Sequence, residues 1–165
     1  MTTKFFHPTK ISTTIPLRQA PTVVLCPQCG SVTKKTKSET LKAQVFKEHL
    51  SQIDLERDWY FCPGERCDVV YCSPGFSRLV RTNEIKSRVT LKDEHPTTPL
   101  CYCFTITKAD VLAEAQVAGG TRVFARIQEH RARKNSFCAK ANPKGHCCTE
   151  DIALWLQRQG IANLS

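Results

Sequence analysis

What this 165-residue sequence lacks narrows its function before any motif is considered. No stretch approaches the ~18 consecutive apolar residues of a membrane span, and no charged start leads into the ~7–15-residue apolar core of a signal peptide. These absences make the cytoplasm the expected location. The first 38 residues hold no acid and many Ser, Thr and Lys, as in an organelle transit peptide, yet Pro8 and Pro16 interrupt any amphipathic helix of that kind. There is no Ser-His-Asp set, no phosphate-cradling glycine loop and no pair of catalytic carboxylates, so hydrolase and kinase chemistry have no support. Aromatics are scarce at 8% and few interleave the basic stretches at 34–37, 78–88 and 122–134. The formal net charge of +9 therefore reads as a solvated basic face, and nucleic acid is not the expected partner.

What is present begins with ordinary globular usage, 41% apolar and 24% charged residues, in a length that fits one domain or two small ones. The unusual quantity is ten cysteines, about three times what an intracellular chain needs for packing. They cluster: Cys26 and Cys29; Cys62, Cys67 and Cys72; Cys101 and Cys103; Cys138, Cys147 and Cys148. Scattered packing thiols would show no such grouping, and disulfides are disfavoured in a reducing compartment, so the pattern points to metal. Four thiolates sum to −2 around either Zn2+ or an oxidised 2Fe-2S core, and two such centres lower the formal charge to about +5.

Along the chain, residues 1–20 carry no periodicity and read as a flexible arm. A β-branched run from Thr22 to Leu25 leads into Cys26-Pro27-Gln28-Cys29-Gly30, a strand and tight turn with both thiols facing one point. Leu41, Val45, Phe46, Leu50 and Ile53 recur at helical spacing and predict one amphipathic helix over roughly 40–53. Runs 58–62 and 68–72 predict two strands joined through the Pro63-Gly64 turn, and Val80 to Leu91 a further strand. The polar stretch containing Pro96 and Pro99 reads as a linker, with a boundary near Asp93. Beyond it, Thr107 with Asp110 predicts a capped helix stopped by Gly119-Gly120. Thr121 is the expected cap of a second helix to about Arg133, and Thr149 of a last one ending at Gly160. The expected fold is α+β, a small β-rich zinc-knuckle domain at 21–92 followed by a helical 2Fe-2S-binding domain at 93–165.

Cys26, Cys29, Cys62 and Cys67 form a CxxC and a CxxxxC, two knuckles that supply four soft ligands to a structural Zn2+ with no open position for water. The rival is a redox-active dithiol at Cys26 and Cys29, for which the thioredoxin-like βαβ setting is missing. Cys72 reads as a packing thiol beside this set. Cys101 and Cys103 form a CxC suited to gripping one iron, while a helical hairpin returns Cys138 and Cys147 or Cys148 to the other iron of a 2Fe-2S cluster. A second structural zinc on the same ligands is the alternative, and spacing does not separate the two. Helix starts near Thr107 and Thr149 would aim N–H groups at the anionic cluster. His146, the one histidine near a motif, receives no role.

The stretches 26–30, 60–71, Cys101-Tyr102-Cys103-Phe104 and 142–148 resemble the amino-terminal domain of the CopZ copper chaperones over about residues 21–160. The second half is similar to bacterioferritin-associated ferredoxin, a helix-turn-helix holding 2Fe-2S with a CxC and two later cysteines. The resemblance implies one zinc, one 2Fe-2S cluster and delivery of an electron that reduces Cu(II) to Cu(I), with Cys148 as the fourth cluster ligand and Cys147 its neighbour. It further implies copper ion, a separate copper chaperone or copper-exporting ATPase, and a redox donor as partners. Two departures stand out: no MxCxxC copper loop of a heavy-metal-associated domain occurs in these residues, and Cys72 replaces a usual aromatic. A soft thiolate such as Cys72 or Cys147 prefers Cu(I), so transient copper contact is chemically consistent. The expected function is thus one-electron transfer in copper homeostasis. The competing readings are a ferredoxin-like partner in iron release, without response to copper, and a zinc-ribbon-like nucleic-acid module, colourless and salt-sensitive.

Overall fold

The computed structural model describes residues 23–133 and 136–164. The arm expected at 1–20 lies outside the described residues. The first half is built on a four-stranded antiparallel sheet in the order β1 (Lys34–Thr36), β2 (Trp59–Phe61), β3 (Val69–Ser73), β4 (Phe76–Arg81). Strands β2 and β3 pair Tyr60 with Cys72 and Phe61 with Tyr71, so the expected hairpin over the Pro63-Gly64 turn is present. Trp59, Phe61, Tyr71 and Val80 then bury one side of this sheet against Leu41, Val45 and Ile85. On the other side Cys26, Cys62, Cys67, Val69 and Cys72 make a separate sulfur-rich cluster.

The single helix expected over 40–53 is two short ones, α1 (Ser38–Gln44) and α2 (Lys47–Leu50). Between them Val45 and Phe46 are extended. Val45 bridges Ile85, Phe46 N–H donates to the Glu84 carbonyl at 3.0 Å, and Lys86 N–H donates to that of Gln44 at 2.8 Å. These bonds replace helical ones, so tertiary pairing overrides a correct hydrophobic spacing. The strand expected from Val80 to Leu91 likewise ends at Arg81, where a 3-10 turn (Thr82–Glu84) follows. The Glu84 carboxylate folds back to accept Arg81 N–H at 2.8 Å and the Arg78 guanidinium. Upstream, the run expected to be a strand at Thr22–Leu25 contributes one bridge, Leu25 to Val32, Thr22 itself lying outside the described residues.

The second half carries β5 (Pro99–Cys101) paired antiparallel with β6 (Ile106–Thr107), then α3 (Lys108–Ala118), β7 (Gly120–Thr121) and α4 (Val123–Ala132). A four-residue α5 (Cys138–Ala141), α6 (Thr149–Gln159) and β8 (Ala162–Asn163) complete it. Thr107 caps α3 as expected, its hydroxyl accepting Asp110 N–H while the Asp110 carboxylate accepts Thr107 N–H at 2.8 Å. The Thr121 hydroxyl accepts Val123 N–H at 3.2 Å, although Arg122 holds the cap position of α4. The cap of α6 is Cys148, one residue before the expected Thr149. Leu100, Val111, Val123, Ile127, Ile152, Trp155 and Leu156 form the core here, with Cys101 and Cys148 inside it.

The halves are stitched by hydrogen bonds to carbonyls of α5 and the loop after it. Thr40 Oγ1 donates to Ala139 O at 2.6 Å, and Gln44 Nε2 to Lys140 O and Ala141 O at 2.7 and 2.8 Å. The buried Tyr71 hydroxyl donates to Pro143 O at 2.6 Å. Lys108, almost wholly buried, donates to Asp93 O and Glu94 Oε2 at 2.9 and 2.7 Å and fixes the segment between the halves.

Glu84 gives the fold a testable pH dependence. The Arg78 guanidinium holds its carboxyl below the ordinary value of 4.5, so its contribution is present above that pH and is lost as pH falls through the depressed value. Glu84→Gln is expected to cost about 1–3 kcal/mol near neutral pH by leaving Arg78 underpaired. The gap between the two chains in denaturant unfolding should narrow progressively as pH falls below 4.5; a constant gap would refute the assignment.

Candidate metal centres

The first knuckle is a tight hairpin. Gly30 N–H donates to Cys26 O at 2.8 Å and Cys26 N–H to Ser31 O at 2.9 Å, which turns Cys26 and Cys29 to one side. Gly30 sits at φ +72°, a conformation costly for other residues. The second knuckle leaves the β2–β3 hairpin: Cys62 N–H donates to Val70 O at 2.9 Å and Cys67 N–H to Gly64 O at 3.2 Å. The four thiols meet, with Cys26 and Cys67 sulfurs 3.9 Å apart, Cys29 and Cys62 3.5 Å, and all four within 4.8 Å of one another. Tetrahedral Zn–S bonds of about 2.3 Å separate sulfurs by about 3.8 Å, so the set fits a Zn2+ ion. Among the described residues no other set of three or more Cys, His, Asp or Glu ligands converges this closely.

Electrostatics within the set is uneven. The Ser31 hydroxyl, 3.2 Å from the Cys29 sulfur, pulls that thiol down to about 6. Burial pushes Cys62 and Cys67 up, because a lone buried thiolate lacks solvation. A divalent cation reverses that penalty by taking the place of the protons, so metal uptake releases protons and weakens as pH falls. Cys72 is buried beside the set, and burial pushes its thiol up to about 11, in keeping with a packing role.

The second sulfur group is arranged differently. Cys103 and Cys138 sulfurs lie 3.4 Å apart, and Phe137 N–H donates to Cys103 Sγ at 3.3 Å. Cys101 and Cys148 are buried in the same cluster, and their mutual interaction pulls Cys101 down to about 7 and pushes Cys148 up. Burial pushes Cys138 up to about 12. Cys101 closes β5 and is buried in the same cluster as Cys148, whereas Cys103 lies two residues on in the turn between β5 and β6, half-buried beside Cys138. Cys147 turns away from these pairs, 2.8 Å from Thr149 Oγ1 and bonded by the Arg131 guanidinium. As the cap of α6, Cys148 brings that helix's N-terminal dipole to the group. His146 is exposed, its Nε2 3.4 Å from Lys35 O.

Residues 23–86 match the CopZ-type family described as a zinc binding domain. The X-ray structure of the Archaeoglobus fulgidus CopZ N-terminal domain superposes with a TM-score of 0.67 at 31% identity, covering 84% of this chain and 99% of that one. The chain belongs to the family of the CopZ N-terminal domain. It is 32% identical over 123 residues to the copper chaperone CopZ of Archaeoglobus fulgidus, covering 74% of this chain and 57% of that protein. It thus spans little more than half the length of this curated relative. The zinc-binding family and the four-cysteine cluster make this a metal-binding protein. No helix among the described residues is long and apolar enough to cross a membrane.

Two residues that shape the first centre escaped sequence reasoning. Ser31 acts through its hydroxyl, and Lys92 reaches the second knuckle from outside the matched stretch. Gly64 was legible as a turn but has a further role. A Cβ there would come within 2.8 Å of Cys29 Sγ and 3.0 Å of Ser31 Oγ. Gly64→Ala is therefore expected to weaken zinc binding about tenfold or more, measured by competition with a chelator; unchanged affinity would refute this role.

Proposed function

We propose that Cys26, Cys29, Cys62 and Cys67 hold one structural Zn2+ and that Cys101, Cys103, Cys138 and Cys148 hold a 2Fe-2S cluster serving copper homeostasis. The zinc supplies folding energy to a half whose knuckles have little other support. The observation that supports the second assignment is that Cys103 and Cys138 lie 3.4 Å apart and Cys101 and Cys148 share one buried cluster, without the four-way convergence of the first centre. One tetrahedral ion draws all four thiolates together, whereas a dinuclear centre takes two at each iron. Bound there, a 2Fe-2S cluster supplies one electron at a time.

The chain's own residues do the rest. Phe137 N–H stabilises thiolate charge at Cys103, and the α6 N-terminus does so at Cys148. Burial of Cys101 and Cys148 keeps water from that side, while the half-buried Cys103 and Cys138 form the edge from which electrons leave. Similarity to a copper chaperone supports copper as the acceptor: in this reading Cu(II) is reduced to Cu(I) for a separate chaperone or a copper-exporting ATPase in a reducing, cytoplasmic setting. An external redox donor restores the reduced state. Copper contact with Cys147, the softest half-exposed donor outside both sets, belongs to the same reading.

Metal analysis and a visible spectrum of anaerobically purified chain test this directly. One zinc and two irons per chain, with one Cu(I) formed per reduced chain on adding Cu(II), are expected; two zincs and no visible band would eliminate the redox role. Gln44→Ala, which frees two carbonyls of α5, should lower iron content and leave zinc content unchanged.

A further inference from the structure

We infer that Lys92 is the counter-charge of the tetrathiolate centre and sets how firmly that centre retains its metal. The inference rests on the zinc assignment above and adds a residue that lies beyond the 23–86 stretch matched by the zinc-binding family. Four thiolates around a divalent cation leave two negative charges, and Cys62, one of the four, is wholly buried. The Lys92 ammonium lies 3.9 Å from Cys62 Sγ, donates to Cys67 O at 2.9 Å, and also donates to Gly64 O. It therefore addresses a ligand sulfur and both ends of the turn that carries the second ligand pair. Of the other basic residues near this knuckle, Arg66 is exposed and Arg81 is engaged with Asp68 and Gln28.

The ammonium is held in place by the backbone that carries it. Thr90 N–H donates to the Tyr102 hydroxyl at 2.9 Å, that hydroxyl donates to Arg88 O at 2.9 Å, and Thr90 Oγ1 donates to Pro99 O at 2.8 Å. Lys92 N–H then closes a turn onto Val89 O at 2.9 Å. A long, rotamer-rich side chain thus starts from a fixed point, and less entropy is lost in aiming it. A cation there offsets part of the negative charge that four thiolates leave around a divalent ion, and its bonds to Gly64 O and Cys67 O brace the turn that carries the second ligand pair, both of which oppose metal loss.

The role is that of a positioning residue, and charge is separated from packing by two variants. Lys92→Met keeps the aliphatic stem and loses the ammonium; Lys92→Arg keeps a cation and donors on a different frame. With Zn2+ bound, Lys92→Met should release metal to a colorimetric chelator about tenfold faster than wild type, and Lys92→Arg close to the wild-type rate. In the Co2+-substituted chain the sulfur-to-cobalt charge-transfer band should move to longer wavelength in Lys92→Met and return in Lys92→Arg. Lys86→Gln, which removes a lysine bonded to Ala43 O, should change neither. A Met variant with the wild-type rate and band overturns the inference. If the Met variant does not fold but the Arg variant does, the need for charge stands; if neither folds, packing is the role and the inference fails. A wild-type chain that takes up neither Zn2+ nor Co2+ removes the centre itself, and the role of Lys92 with it.

Discussion

Everything in the first half depends on four sulfurs being forced together by two turns. Thiols packed this closely are poor company without a cation: burial resists their ionisation, and as neutral groups they bond one another only weakly. The knuckles have no large apolar side chains of their own, and Val69 is the one buried aliphatic in the sulfur cluster. The main core of this half lies on the opposite side of the sheet, around Trp59 and Tyr71. The divalent ion that the family binds therefore stands where a second hydrophobic core would otherwise have to be, and the short strands β1 to β4 are the wall between the two.

The second sulfur group follows another logic. It is not an appendix to the fold but part of its packing, since Cys101 and Cys148 belong to the same buried cluster as Val111, Ile152 and Trp155. Their partners Cys103 and Cys138 stay half-buried at the rim, so the group runs from core to surface. Such a gradient suits a centre that exchanges charge with an outside partner, and the proposed redox role uses that asymmetry rather than any catalytic side chain.

Much of this was legible in the residues, and the failures share a cause. The CxxC and CxxxxC spacing, the Pro63-Gly64 turn and the capping box at Thr107 and Asp110 are local devices, and each appears as read. The helix from 40 to 53 failed because Val45 and Phe46 take partners at Ile85 and Glu84, some forty residues away. The pairing of Cys101 with Cys148 and of Cys103 with Cys138 depends on how a strand, a helix cap and a four-residue helix meet, which spacing does not encode. Gln44, Tyr71 and Lys92 look like any polar or aromatic residue in the sequence, since what distinguishes them is a carbonyl or sulfur far along the chain.

The hydrogen bonds from α1 to α5 carry a consequence for maturation. A helix of four residues does not persist alone in water, where about 12–15 are needed, so Cys138 owes its position to Thr40 and Gln44. The amino-terminal half thereby serves as a jig on which Cys138 is mounted. The second sulfur group is thus complete only where the first half has already folded.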